Sequence, residues 1–172
     1  MKHFIQPVLS NLSGVLLMMA FMATGCQQPD AMLEQNKILA DRFHTDIIVG
    51  GNLDVADEII SSDFVAHAPL PPEFTKGPEG VKLWATAYRT GMPNDLSVKH
   101  FETIAEGDLV MIRFEGGGTH EGVLMGVPPS GNYVTVTGID LFRIEDGKIV
   151  EMWQELDVLG MMQQIGALPA PE

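Results

Sequence analysis

The stretch YVTVTGIDLFRIEDGKIVEMWQELD, residues 133–157, places an apolar side chain at nearly every second position on either side of Glu145-Asp146-Gly147. A period of two is that of a half-buried strand, and an Asp-Gly pair between two such runs marks a tight turn. Tyr133 to Ile144 and Lys148 to Asp157 therefore predict an antiparallel hairpin. Upstream, Leu96 to Ala105 and Leu109 to Thr119 repeat the pattern around Glu106-Gly107-Asp108. The Gly116-Gly117-Gly118 run predicts a bulge that bends the sheet. It is no phosphate loop, because no Lys-Ser/Thr follows and no strand leads into a helix there.

Before Pro93 the spacing changes. Leu33, Ile38, Leu39, Phe43, Ile47 and Ile48 recur at helical steps and stop at Gly50-Gly51, predicting a helix over 33–49. Asn52 reads as the N-cap of a short helix near 53–61, and Asp63 to His67 as a short extended piece. Gly77-Pro78-Glu79-Gly80 opens a third helix, 79–90, with Val81, Trp84, Ala85 and Tyr88 on one face. A terminal amphipathic turn spans Leu159 to Ile165. Helices first and strands afterwards is an α+β order. About three helices on a curved, mostly antiparallel sheet make a cone enclosing a pocket.

The 172 residues fit one domain, and 45% hydrophobic against 19% charged residues supply a sizeable core. Lys and Arg number 10 against 23 Asp and Glu, for a formal charge of -13. Such a field disfavours nucleic acid and anionic membrane surfaces as partners. A single cysteine excludes an intrachain disulfide, a zinc finger and a CxxC redox pair.

Met1-Lys2-His3 followed by the apolar run Gly14 to Ala23 has the form of a signal peptide, and ten residues are too few to span a bilayer. Ala23-Thr24-Gly25-Cys26 resembles a bacterial lipoprotein cleavage site, with Ala23 where Leu is usual. Ala23 and Gly25 also suit an ordinary signal peptidase cutting at the same bond. Residues 1–25 are thus a signal peptide, 26–31 a tether, 32–168 the cone domain and 169–172 a loose tail. The protein is expected in a bacterial-type cell envelope, touching a membrane only through a lipid at Cys26.

Three stretches together resemble the SnoaL-like polyketide cyclases of the nuclear-transport-factor-like superfamily. They are Gly118-Thr119-His120-Glu121-Gly122 with Gly126-Val127-Pro128-Pro129-Ser130-Gly131, then Asp146-Gly147-Lys148-Ile149-Val150-Glu151 with Trp153 and Asp157, and more weakly Gly51-Asn52-Leu53-Asp54 with Val65-Ala66-His67-Ala68-Pro69. The resemblance implies an α+β cone that closes a ring in a polyketide ester by intramolecular aldol condensation, without metal or organic cofactor. It implies an aspartate acid/base on the last strand, where Asp157 matches best, and a homodimer. Apolar residues on both sides of the strands from Leu109 onward agree with the dimer, since helices cover only one sheet face.

The residues themselves leave alternatives open. Alternation along the last strand puts Glu151, Trp153 and Asp157 on one side and Met152, Gln154 and Leu156 on the other, and neither side is cleanly apolar. Asp157 either serves as the base or caps the helix after it. Asp140 shares a face with Val134, Val136, Phe142 and Ile144, so it either lines a pocket or pairs with Arg113 or Arg143. His67 and His120 are candidate proton donors. His44 and His100 have no companion signal and read as surface or packing residues. No His and carboxylate positions have metal-ligand spacing. Trp153, Trp84, Met125 and Phe142 are the expected contacts of a small apolar or aromatic carbonyl ligand. Met111, Met125, Met152, Met161 and Met162 either line an adaptable pocket or fill the core.

Two functions share that pocket: a cofactor-independent acid/base cyclase or isomerase, and an exported lipoprotein that only binds a small ligand. Export itself is testable. Mass spectrometry of the membrane fraction should find the chain cut before Cys26 and diacylated there; a free Cys26 thiol on a secreted chain would leave plain secretion.

Overall fold

The computed structural model describes residues 29–169. The expected signal peptide, Cys26 and the first half of the tether lie outside the described residues. Helix α1 (Pro29–Arg42) takes in the second half of the expected tether. It runs on without a break into a π-helical stretch, Phe43–Val49, whose wider turn buries Phe43, His44 and Ile47. Arg89 donates to the Val49 carbonyl and closes that end. Gly51 follows with φ +69, and a Cβ there would lie 2.4 Å from Arg89 Nε.

Helix α2 is Asp54–Ile59, with Leu53 before it and no side-chain cap, so Asn52 does not play the expected part. The chain turns extended earlier than expected. Strand β1 is Ile60–His67 and pairs parallel with the last strand, Ile60 beside Ile149 and His67 beside Trp153. A single 3₁₀ turn, Pro72–Phe74, leads to α3 (Gly77–Gly91). Strands β2 (Ser97–Glu106), β3 (Leu109–Thr119), β4 (Tyr133–Glu145) and β5 (Lys148–Leu156) then form the two expected hairpins, and α4 (Val158–Gln164) ends the fold. The sheet order is β1-β5-β4-β3-β2, with only β1–β5 parallel.

The bulge expected at the triple glycine falls elsewhere. The register shifts in β2 between His100 and Glu102, and between β4 and β5 at Arg143 and Ile144. Strand β3 runs evenly through Gly116–Gly118, with Gly116 and Gly117 paired on both sides and Gly118 paired to Val134 of β4. Glycine is needed there for room: a Cβ on Gly117 would lie 2.5 Å from the Val134 carbonyl oxygen. The β5 bulge explains the mixed alternation of that strand. It lets Ile149, Met152 and Gln154 all be buried.

Helices α1 and α3 and the π-helix cover one face of this curled sheet. Phe43, Ile47, Val81, Phe64, Phe142 and Met152 form the main core, each contributing about 1.5–3 kcal/mol by leaving water. A smaller cluster of Met92, Leu124, Val134, Met161 and Ile165 seals the end beside α4. Met152 and Met161 are thus core filler. The opposite sheet face exposes Phe101, Ile104 and Ile139.

Candidate active site

Between the π-helix, α3 and the concave sheet face lies a cavity of about 70 Å³. Phe43, Trp84, Met92, Phe114, Val134 and Leu156 make most of its wall, and Gly116 and Gly117 let the β3 backbone form part of it. Val49, Leu96 and Ser97, only partly covered, stand toward solvent. The polar groups in the lining are few: His44, Tyr88, Ser97 and Gln154.

His44 connects the cavity to the buried side of the sheet. Its Nε2 lies 2.8 Å from Asp140 Oδ2, and both side chains are almost wholly buried. Its Nδ1 lies 2.8 Å from His100 Nε2, and His100 Nδ1 lies 3.0 Å from Asp41 Oδ1 at the surface. Phe114, Phe142 and Phe43 pack around the His44 ring at centroid distances of 4.8, 5.9 and 5.6 Å. Asp140 therefore takes a histidine as its partner, not Arg113 or Arg143. Those two turn outward, Arg113 to Glu102 and Arg143 to Glu151 and Asp108.

Three buried polar atoms at this place have no hydrogen-bond partner among the described residues: Asp140 Oδ1, Gln154 Oε1 and Trp84 Nε1. Gln154 and Trp84 line the cavity, and Asp140 faces Gln154 across the β4–β5 register. Leaving a polar group buried and unpaired costs about 1–3 kcal/mol. A carboxylate oxygen, an amide oxygen and an indole N–H left so together mark a place for a polar ligand group. Tyr88 adds a hydroxyl. Burial pushes its ionisation up to about 12, against a smaller pull from the Trp84 indole N–H and with a further push from the Asp140 charge. The indole reaches it without a hydrogen bond of normal geometry, and the phenol stays protonated near neutrality.

The expected site residues are dispersed. Trp84 lines the cavity, and Asp140 stands behind His44. Phe142 is fully buried beneath them, in contact with Phe43 at 5.3 Å between rings. Asp157 is exposed at the start of α4, where its carboxylate accepts from Gly160 N–H at 2.8 Å, so the capping alternative describes its placement. His67 is on the outer sheet face, stacked on Trp153 at 5.3 Å and bonded to Glu151 at 2.8 Å. His120 is buried but fastens the loop after β3, its Nδ1 accepting from Ser130 N–H at 3.2 Å. Met125 is half exposed in a separate outer groove, which shares Trp84 and Tyr88 with the cavity.

The sequence reading missed His44, Gln154 and Tyr88 as site residues. His44 did carry a signal, since it adjoins Phe43 on the face of the apolar stripe. Gln154 was on the strand side shared with Met152 and Leu156, where a buried amide is unusual.

The model of the SnoaL-like polyketide cyclase family matches residues 38–165. The chain belongs to this family. It is similar to the aklanonic acid methyl ester cyclase of Streptomyces peucetius, at 30% identity over 125 residues, covering 71% of this chain and 86% of that one. It is also similar to the nogalonic acid methyl ester cyclase of Streptomyces nogalater, at 27% identity over 116 residues, 67% of this chain and 87% of that one. Among solved structures, a protein of Jannaschia sp. CCS1 assigned to the SnoaL-like polyketide cyclases aligns with a TM-score of 0.70 at 29% identity, covering 79% of this chain and 94% of that one. Family membership supports a cyclase-type function and the α+β cone.

The cap on α4 can be weighed directly. Asp157→Ala should lower stability by about 1 kcal/mol and Asp157→Asn by only a few tenths, because Asn also caps. Urea unfolding checks both; equal losses would show that the cap is not what Asp157 contributes.

Proposed function

We propose that the protein is a cyclase that closes a ring in a small apolar carbonyl compound by acid/base chemistry, with Asp140, held by His44, as the proton acceptor. The observation that carries this reading is the half-paired Asp140 carboxylate. Oδ2 is bound to His44 at 2.8 Å while Oδ1 is buried and unpaired, and His44 and Gln154, the residue opposite Asp140 in the β4–β5 register, both line the cavity. A fixed imidazole keeps the carboxylate oriented.

In an intramolecular aldol reaction Asp140 Oδ1 takes a proton from the carbon beside a carbonyl. The resulting enolate carbon bonds to a second carbonyl carbon, whose oxygen becomes an alkoxide. Asp140 returns the proton to that oxygen, so the sum of bonds and protons is unchanged. The Trp84 indole N–H supplies a donor for the oxygen on which charge develops. Gln154 Oε1 accepts from a substrate hydroxyl. Both are buried, so neither competes with water. The methyl ester cyclase activities of the two Streptomyces relatives suggest a polyketide-derived ester as substrate. About 70 Å³ admits the reacting end of such a molecule, with the rest of a large ring system toward Val49 and Leu96.

Asp140→Asn keeps the contact with His44 but cannot take the proton. On a panel of polyketide-type methyl esters and β-keto compounds its kcat should fall roughly 100- to 10,000-fold, while Asp157→Asn stays close to wild type. An active Asp140→Asn overturns the assignment. Wild-type protein that binds such compounds without converting them would favour the ligand-binding lipoprotein instead.

We further propose a second copy of the chain as the occupant of the outer sheet face, where Ile104 is 58% and Ile139 44% exposed. An isologous contact would cover the same apolar positions on both copies. Sedimentation at micromolar concentration should give a dimer, and Ile139→Lys should give a monomer.

A further inference from the structure

The Asp140–His44–His100–Asp41 row contains more than the base and its immediate partner. It has three close contacts, at 2.8, 2.8 and 3.0 Å, and a hydrogen bond at each takes one proton. Two ionised carboxylates and two neutral imidazoles supply only two protons, so a third is needed. With both carboxylates ionised, it makes one of the two rings an imidazolium, in one of two arrangements. With the proton on His44 Nδ1, the charge sits beside Asp140; with it on His100 Nε2, the charge sits beside Asp41. They differ by one proton crossing a 2.8 Å gap.

We propose that His44 and His100 share this proton, that its position follows the charge on Asp140, and that Asp41 is the outer counter-ion. The inference rests on the reading of Asp140 as the base. An ionised Asp140 holds the shared proton on His44. When Asp140 Oδ1 takes the substrate proton, its charge vanishes and a buried His44 cation would be left without a partner, which is strongly unfavourable. The shared proton then moves to His100, which Asp41 faces at a half-exposed position. When Asp140 gives its proton to the product alkoxide, the shared proton returns. All three hydrogen bonds persist in both arrangements, and no proton is gained or lost.

The surroundings agree. The groups facing His100 are Asp41 from α1, His44 from the π-helix and Asp140 from β4; its β3 neighbour across the register is the uncharged Phe114. Burial first and His44 second hold the His100 imidazole below its ordinary value, against the opposing pull of Asp41 and Asp140. No water is needed in the row, because the rings touch directly. His100 and Asp41 thus act through His44 as positioning residues.

Ring-¹⁵N histidine NMR of the whole protein reads the proton without a substrate. In the wild type, the His44 and His100 nitrogens should titrate together as one coupled step. Asp140→Asn should move the shared proton from His44 Nδ1 to His100 Nε2. Asp41→Asn, at an exposed position that does not threaten folding, should leave it on His44 and lower the midpoint of the coupled step by about half a pH unit. Independent titration of the two rings, or a proton distribution that neither substitution alters, overturns the proposal. Its failure is separable from that of the cyclase reading: turnover by Asp140→Asn would refute the base, whereas the NMR spectra report the row itself.

Discussion

The contact between His44 Nε2 and Asp140 Oδ2 joins the helical layer to the sheet by a buried polar interaction of 2.8 Å. An isolated carboxylate at the centre of β4 would cost several kcal/mol, more than a fully buried isoleucine returns. The π-helix must therefore present His44 inward at that height, which in turn fixes where Phe43 meets Trp84 and Phe142. Both Phe43 and its neighbour His44 are buried in the π-helical stretch.

The sheet supplies the complementary constraint. Two of its three register shifts fall where alternation alone would have sent a needed side chain outward. The β5 bulge turns Gln154 toward the cavity, and the β2 shift follows directly after His100, the residue that meets His44. Gly116 and Gly117 open the wall between them. The result is a cavity almost entirely apolar, in which a handful of polar atoms act at low dielectric and their electrostatics are strengthened.

The outer face follows a different chemistry. His67, Trp153, Arg143 and Glu151 form a stacked and ion-paired cluster there: Arg143 lies 5.1 Å from the Trp153 ring centre and the His67 ring stacks on the same indole. These are partly exposed contacts, of modest worth to stability. Gln154, one residue from Trp153 along β5, lines the cavity on the opposite face of the sheet.

Sequence alone determined the α+β order, both hairpins with their Asp-containing turns, the inward face of β4 including Asp140, and the helices bearing Phe43 and Trp84. Those features are local: periodicity and turn chemistry act within a few residues, so the chain states them directly. Only the tertiary structure decided which polar residues meet. His44 and Asp140 are 96 positions apart, and His44 and His100 are 56 apart. No spacing rule reports such a pairing. Strand β1 became parallel to β5 for the same reason, since a partner distant in sequence fixed its start at Ile60. Asp157 and Asp140 look alike as aspartates on the last two strands. One follows its strand and accepts from the Gly160 N–H in the first turn of a helix, and the other is buried against an imidazole that three phenylalanine rings surround. Burial, which depends on the whole fold, separates a cap from a candidate base.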